Sequence, residues 1–172
     1  MPTVYLSPSL QEYNAYVDGG NEEYYMNLIA DDMVPILERA GITVERNRPE
    51  MRLSEAIAAS NASQRDLHFA IHSNAAPPSS AGTVRGADFY YYRDSARGKE
   101  IADIMAKNYA KIYSGKIQVL ATTTLAELKN TKAPSVLVEV GYHDNPAEAR
   151  WIRENIGAIA QNLSDSIIQV LT

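Results

Sequence analysis

The stretch LHFAIHSNAA, Leu67–Ala76, decides how the rest of the chain is read. Leu67, Phe69 and Ile71 alternate with His68, Ala70 and His72, the two-residue period of a β-strand. The strand runs out at His72, and Ser73 and Asn74 open a polar turn. In open α/β sheets, ligands and chemistry gather beyond the carboxyl ends of strands. A histidine there is a candidate metal ligand or proton carrier; the plainer alternative is an imidazole satisfied by a backbone carbonyl.

On the N-terminal side, Thr3–Ser7 reads as a strand closed by Pro8, and Pro8–Gly20 as a long polar loop. Asn21 is placed to cap a helix with Glu22 and Glu23 in its first turn, where the helix dipole favours acids. Tyr25, Leu28, Ile29, Ile36 and Leu37 recur at helical spacing, Pro35 is a candidate kink, and Gly41 ends the helix. Ile42–Arg46 is a second strand, and Ser54 is placed to cap a helix over Glu55–Asn61.

On the C-terminal side, Gly86–Tyr92 is a strand near a sheet edge. Ser95–Tyr113 is a helix, Ile117–Leu120 a short strand, and Thr124–Asn130 a helical turn. Ser135–Gly141, SVLVEVG, is almost wholly apolar, as expected of a central buried strand. Pro146 starts a helix, and Trp151–Leu171 continues as one or two more. Strands alternating with helices imply a single α/β domain with a mixed, mostly parallel sheet and helices on both faces.

The chain has 172 residues, 45% apolar and 22% charged, the proportions of a soluble globular protein. It has no cysteine, so thiolate ligands and nucleophiles are excluded. A formal net charge of −5 argues against nucleic acid as a partner. The first residues lack the basic start and apolar run of a secretion signal, and no stretch is apolar enough for a membrane helix. Phosphate-binding glycine loops and a GxSxG serine elbow are absent.

The chemistry on offer is histidine plus carboxylates. Glu139 interrupts an apolar strand, and an unpaired buried carboxylate costs several kcal/mol. Glu139 is therefore paired with a lysine or arginine, protonated, or set at the strand outlet for a task. Glu23 shares a helix face with Asn27, and Glu22 fills the ordinary acidic role beside it. His68 lies four strand residues from His72, roughly 13 Å along a regular strand, too far to share an ion with ligands at about 2 Å; it reads as structural. His143 is assigned to a turn in which Asp144 or Asn145 caps the next helix. A His and carboxylate set suits zinc.

The segments EEYYMN (Glu22–Asn27), AIHSNA (Ala70–Ala75) and APSVLVEVGYHDN (Ala133–Asn145) resemble the zinc-dependent N-acetylmuramoyl-L-alanine amidases, which cut bacterial peptidoglycan. The resemblance, in order and spacing, spans nearly the whole chain. It implies a twisted six-stranded sheet, zinc bound by Glu23 and His72, and Glu139 as the catalytic carboxylate that takes a proton from attacking water. The family's further zinc histidine, in a Gly-His-Gly setting after the first strand, has no counterpart in LSPSLQEYN (Leu6–Asn14). Glu12 is the best chemical substitute; Gln11 is nearer the strand but a poorer ligand. The resemblance implies a peptidoglycan substrate and action on the cell wall, in an autolysin, sporulation or phage-lysis setting. Two alternatives stand beside it: a non-catalytic peptidoglycan-binding domain with an impaired metal site, and a zinc amidase or peptidase of another substrate.

Overall fold

The computed structural model describes residues 1–172. The strands are β1 (Thr3–Pro8), β2 (Thr43–Arg46), β3 (Leu67–Asn74), β4 (Ala87–Tyr92), β5 (Ile117–Thr122) and β6 (Ser135–Tyr142). The helices are α1 (Glu22–Arg39), α2 (Leu53–Asn61), α3 (Ala96–Tyr109), α4 (Ala126–Lys129), α5 (Pro146–Glu154) and α6 (Ile156–Leu171). The six strands form one sheet in the order β2-β1-β3-β6-β4-β5. All pairings are parallel except β4 against β6. The mixed, mostly parallel sheet expected from the sequence is present, with tyrosine-rich β4 one strand from the edge.

Local chemistry explains the boundaries. Asn21 Oδ1 accepts from the Tyr24 amide at 2.8 Å and caps α1. Helix α2 starts two residues earlier than Ser54 capping predicts, because Glu55 Oε2 reaches back to accept from the Arg52 amide at 2.7 Å. Asn145 Oδ1 caps α5 through the Ala147 and Glu148 amides. The C-terminal helical region divides at Asn155, whose side chain donates to the Trp151 carbonyl at 2.8 Å.

The two faces of the sheet are covered unequally. On one, Val4, Leu6, Phe69, Ile71, Val136, Val138 and Phe89 join side chains of α1, α3, α5 and α6 in a core of 28 buried residues. At about 1.5–3 kcal/mol for each large apolar side chain buried, most of the folding energy lies there. On the other face Ala70, Leu128 and Leu137 form a cluster of three. Strand alternation sends Tyr5, His68, His72 and Glu139 toward this thinner side.

Chain order places the site. From β1 the chain crosses to β2 on one flank and then to β3 on the other. The carboxyl ends of β1 and β3 thus form a topological switch point, where such sheets open a crevice. The Ser9–Asn21 loop and His72 both lie there.

Candidate active site

His72 and Glu139 sit on neighbouring parallel strands, directly opposite in the β3–β6 register. Beyond them the pairing shifts by one residue, so that Asn74 meets Tyr142. Beside His72 opens a cleft of about 400 Å³, lined among others by Pro8, Gln11, Tyr13, Arg52, Glu127 and Leu137.

The carboxylate brought to His72 is Glu22, not the expected Glu23. Glu22 is 1% exposed, and its Oε1 lies 2.9 Å from His72 Nδ1. The same oxygen accepts from the Ser73 amide at 3.3 Å, and Oε2 accepts from Asn14 Nδ2 at 2.7 Å. Burial pushes Glu22 upward, but the His72 and Asn14 hydrogen bonds and the His72 charge outweigh it and hold the carboxyl below its usual range. Glu23, one residue on and rotated about 100° around the helix, is half-buried and makes no bond to His72. Burial and the Glu12 charge raise it.

The loop after β1 places its side chains unequally as well. Glu12 is exposed and makes no bond to the pair. Gln11 reaches it indirectly: its Oε1 accepts from Asn14 Nδ2 at 2.5 Å, the amide that also holds Glu22.

Glu139 is partly exposed, but its Oε2 is shielded from solvent and has no hydrogen-bond partner. It forms no ion pair with lysine or arginine, the structural role weighed from the sequence. Burial is the main cause that pushes its carboxyl up to about 8; the His72 charge opposes this, while Glu22 and Asp88 add to it. A carboxyl tuned in this way binds a proton readily near neutral pH.

Two histidines support the site from behind. His143 is buried, and its Nδ1 accepts from Ser73 Oγ at 2.9 Å; Ser73 Oγ in turn accepts from Tyr16 at 2.9 Å. The Tyr16 ring stacks on His143 with centroids 5.3 Å apart. Burial lowers His143, which favours its neutral form. Asn145 is the residue that caps α5, as the turn assignment anticipated. His68 is fully buried, stacked on Tyr5, with Nδ1 2.8 Å from Ser60 Oγ and Nε2 3.0 Å from Glu127 Oε1.

Glu127 is the residue that sequence reasoning missed. It is 4% exposed, and its second oxygen lies 3.5 Å from His72 Nε2. Burial pushes it up, but the bonds and charges of the two imidazoles prevail and bring it down to about 2. For His72 burial works downward, and the flanking carboxylates Glu127 and Glu22 outweigh it and raise the imidazole well above its usual value. The only sequence signal for Glu127 is an acid between Leu125 and Leu128 in a segment too short to show a period.

Comparison with known proteins follows this geometry. Probable cell wall amidase LytH of Staphylococcus aureus is 26% identical over 136 residues, 78% of this chain and 44% of that protein. This chain thus spans less than half of the curated relatives it matches. Among solved structures, the N-acetylmuramoyl-L-alanine amidase AmiC2 of Nostoc punctiforme superposes with a TM-score of 0.86 at 20% identity, covering 98% of this chain and 96% of that one. Cwp6 from Clostridium difficile gives 0.87 at 23% identity, covering 99% and 29%. Both likenesses concern the fold. The sequence model of the N-acetylmuramoyl-L-alanine amidases matches residues 10–169, the loop after β1 through α6, and the chain belongs to that family.

Proposed function

We propose that this chain hydrolyses the amide bond between N-acetylmuramic acid and L-alanine in peptidoglycan, with a zinc ion held by Glu22 and His72. Family membership supports the substrate class. The observation that carries the site is the meeting of Glu22, His72 and the unpartnered Glu139 carboxylate at the carboxyl ends of β3 and β6.

The pair fits zinc in its chemistry, since imidazole nitrogen and carboxylate oxygen are ordinary zinc donors. Their 2.9 Å separation is near the about 3.3 Å expected of two tetrahedral ligands at about 2.0–2.1 Å. No set of three or more His, Cys, Asp or Glu side chains is arranged to hold a metal ion. The third position falls to the Gln11–Glu12 turn, where Gln11 lies nearer the pair and Glu12 is the stronger donor. Two strong donors hold the ion less firmly than three, so graded chelators should strip it readily.

When bound, zinc supplies a Lewis acid that polarises the amide carbonyl. Glu139 takes the proton of the attacking water and returns it to the departing alanine amine. His72, backed by Glu22, marks the reacting end of the cleft. His143, Ser73 and Tyr16 hold the β3 turn in place through buried hydrogen bonds.

His72→Ala tests this reading. It should remove the only imidazole at the pair, and with it both zinc and release of new amine from muropeptides. Metal content by mass spectrometry and amine release on one preparation decide the matter, and stoichiometric zinc in the variant would overturn the assignment. The absent second zinc histidine favours a second reading, a peptidoglycan-binding domain without catalysis. Metal-free wild-type protein that still sediments with sacculi and releases no amine would select it.

A further inference from the structure

We infer that Glu127 is a positioning residue, a buried carboxylate that orients the His72 ring so that Nδ1 faces Glu22. The inference rests on the proposed zinc reading for its consequence and on hydrogen-bond inventory for its geometry. An ionised carboxylate only accepts. His68 Nε2 must therefore donate to Glu127 Oε1 at 3.0 Å, which leaves His68 Nδ1 to accept from Ser60 Oγ at 2.8 Å. That network fixes one Glu127 oxygen and turns the other toward β3.

The free oxygen, Oε2, lies 3.5 Å from His72 Nε2. This is long for a hydrogen bond, yet His72 Nε2 is shielded from solvent and has no other partner. Shortening by a few tenths of an ångström completes the contact. In the metal-free protein Nδ1 donates its proton to Glu22 Oε1 at 2.9 Å; with Nε2–H kept on Glu127, it is the Nδ1 lone pair that is freed for the proposed zinc when that proton leaves. A carboxylate behind a ligating imidazole fixes its tautomer and ring angle and raises its basicity.

Glu127 is well built for this. Its main chain is tied down by Thr131 Oγ1, which donates to the Glu127 carbonyl at 2.9 Å. Its His68 partner is clamped on the Tyr5 ring with centroids 5.5 Å apart and planes 10° from parallel. The chain Ser60–His68–Glu127–His72 thus links helix α2, strand β3 and helix α4 along the wall of the cleft, which His72 and Glu127 line. A purely structural His68–Glu127 pair requires only one of the two carboxylate oxygens.

The experiment compares wild type with Glu127→Gln and His68→Gln. The first readout is the His72 Nε2–H resonance in zinc-free, ¹⁵N-histidine-labelled protein. The expected result is an upfield shift and faster solvent exchange in Glu127→Gln, with a smaller change in His68→Gln. An unchanged resonance in folded Glu127→Gln overturns the inference, whatever zinc does. The second readout is zinc affinity by chelator competition. It should fall about 10–100-fold in Glu127→Gln at an unchanged far-ultraviolet spectrum. If wild type binds no zinc, the zinc reading fails while the resonance still judges Glu127. If Glu127→Gln does not fold, Glu127→Asp, which keeps the charge and draws Oε2 away from His72, must show the same displaced resonance; a wild-type signal there overturns the inference.

Discussion

Glu139→Gln should lower amide hydrolysis by a factor of about 10²–10⁴, the usual cost of losing a general base, and at the same time make the protein more stable. The two effects have one cause. The carboxyl is held up to about 8 by burial, against an ordinary value of 4.5. Below pH 4.5 the folded and unfolded chains both carry the proton and the residue costs nothing. As pH rises from 4.5 toward 8, the unfolded chain releases the proton and the folded chain keeps it, so stability drains away with increasing pH. Glutamine does not titrate, so its advantage grows across that window and levels off above pH 8. The limiting slope is about 1.4 kcal/mol per pH unit. Partial exposure of Glu139 brings the expected total to roughly 1–3 kcal/mol. Melting curves in chelator from pH 4 to 9, paired with amine release from muropeptides, measure both. Wild-type activity per folded molecule would remove Glu139 from the chemistry, and a variant that melts lower at pH 8 would overturn the burial-raised carboxyl.

Glu22→Gln and Glu23→Gln should part company sharply, although the residues are adjacent. Glu22 is buried against His72, Asn14 and the Ser73 amide, so its loss should weaken zinc by more than the about 10–100-fold typical of an outer-shell partner. Activity should follow. Glu23 is only half-buried and bonds none of these groups. Its substitution should leave zinc affinity unchanged and stability within about 0.5 kcal/mol. Chelator competition on both variants ranks them, and a larger loss for Glu23→Gln would return the ligand role to it.

That pair also marks where sequence reading stops. A charge inside the apolar run Ser135–Gly141 announces Glu139, and the end of an alternating strand announces His72. The alternation of strands and helices yields the sheet, because period and punctuation are local properties. The choice between Glu22 and Glu23 is not local. Both suit the first turn of a helix, and only the angle at which α1 meets β3 decides which faces inward. Glu127 is hidden more deeply: its two imidazole partners lie 59 and 55 residues away in the chain, and α4 has only four residues. The unequal cover of the sheet is equally silent, since the central strands β3 and β6 show apolar residues on both sides of their alternation.

The opposition of His72 and Glu139 across the β3–β6 ladder makes the backbone a gauge block for the reaction. Adjacent strands stand about 4.8 Å apart, a spacing held by main-chain hydrogen bonds that no side-chain substitution alters. The segments that shape the cleft mouth, Ser9–Asn21 among them, are tethered to this gauge without being part of it. In the proposed hydrolysis they can be recut for a different stem peptide or glycan while the distance from Glu139 to the His72 imidazole stays the same. Selection on substrate and selection on chemistry therefore act on separable parts of the chain.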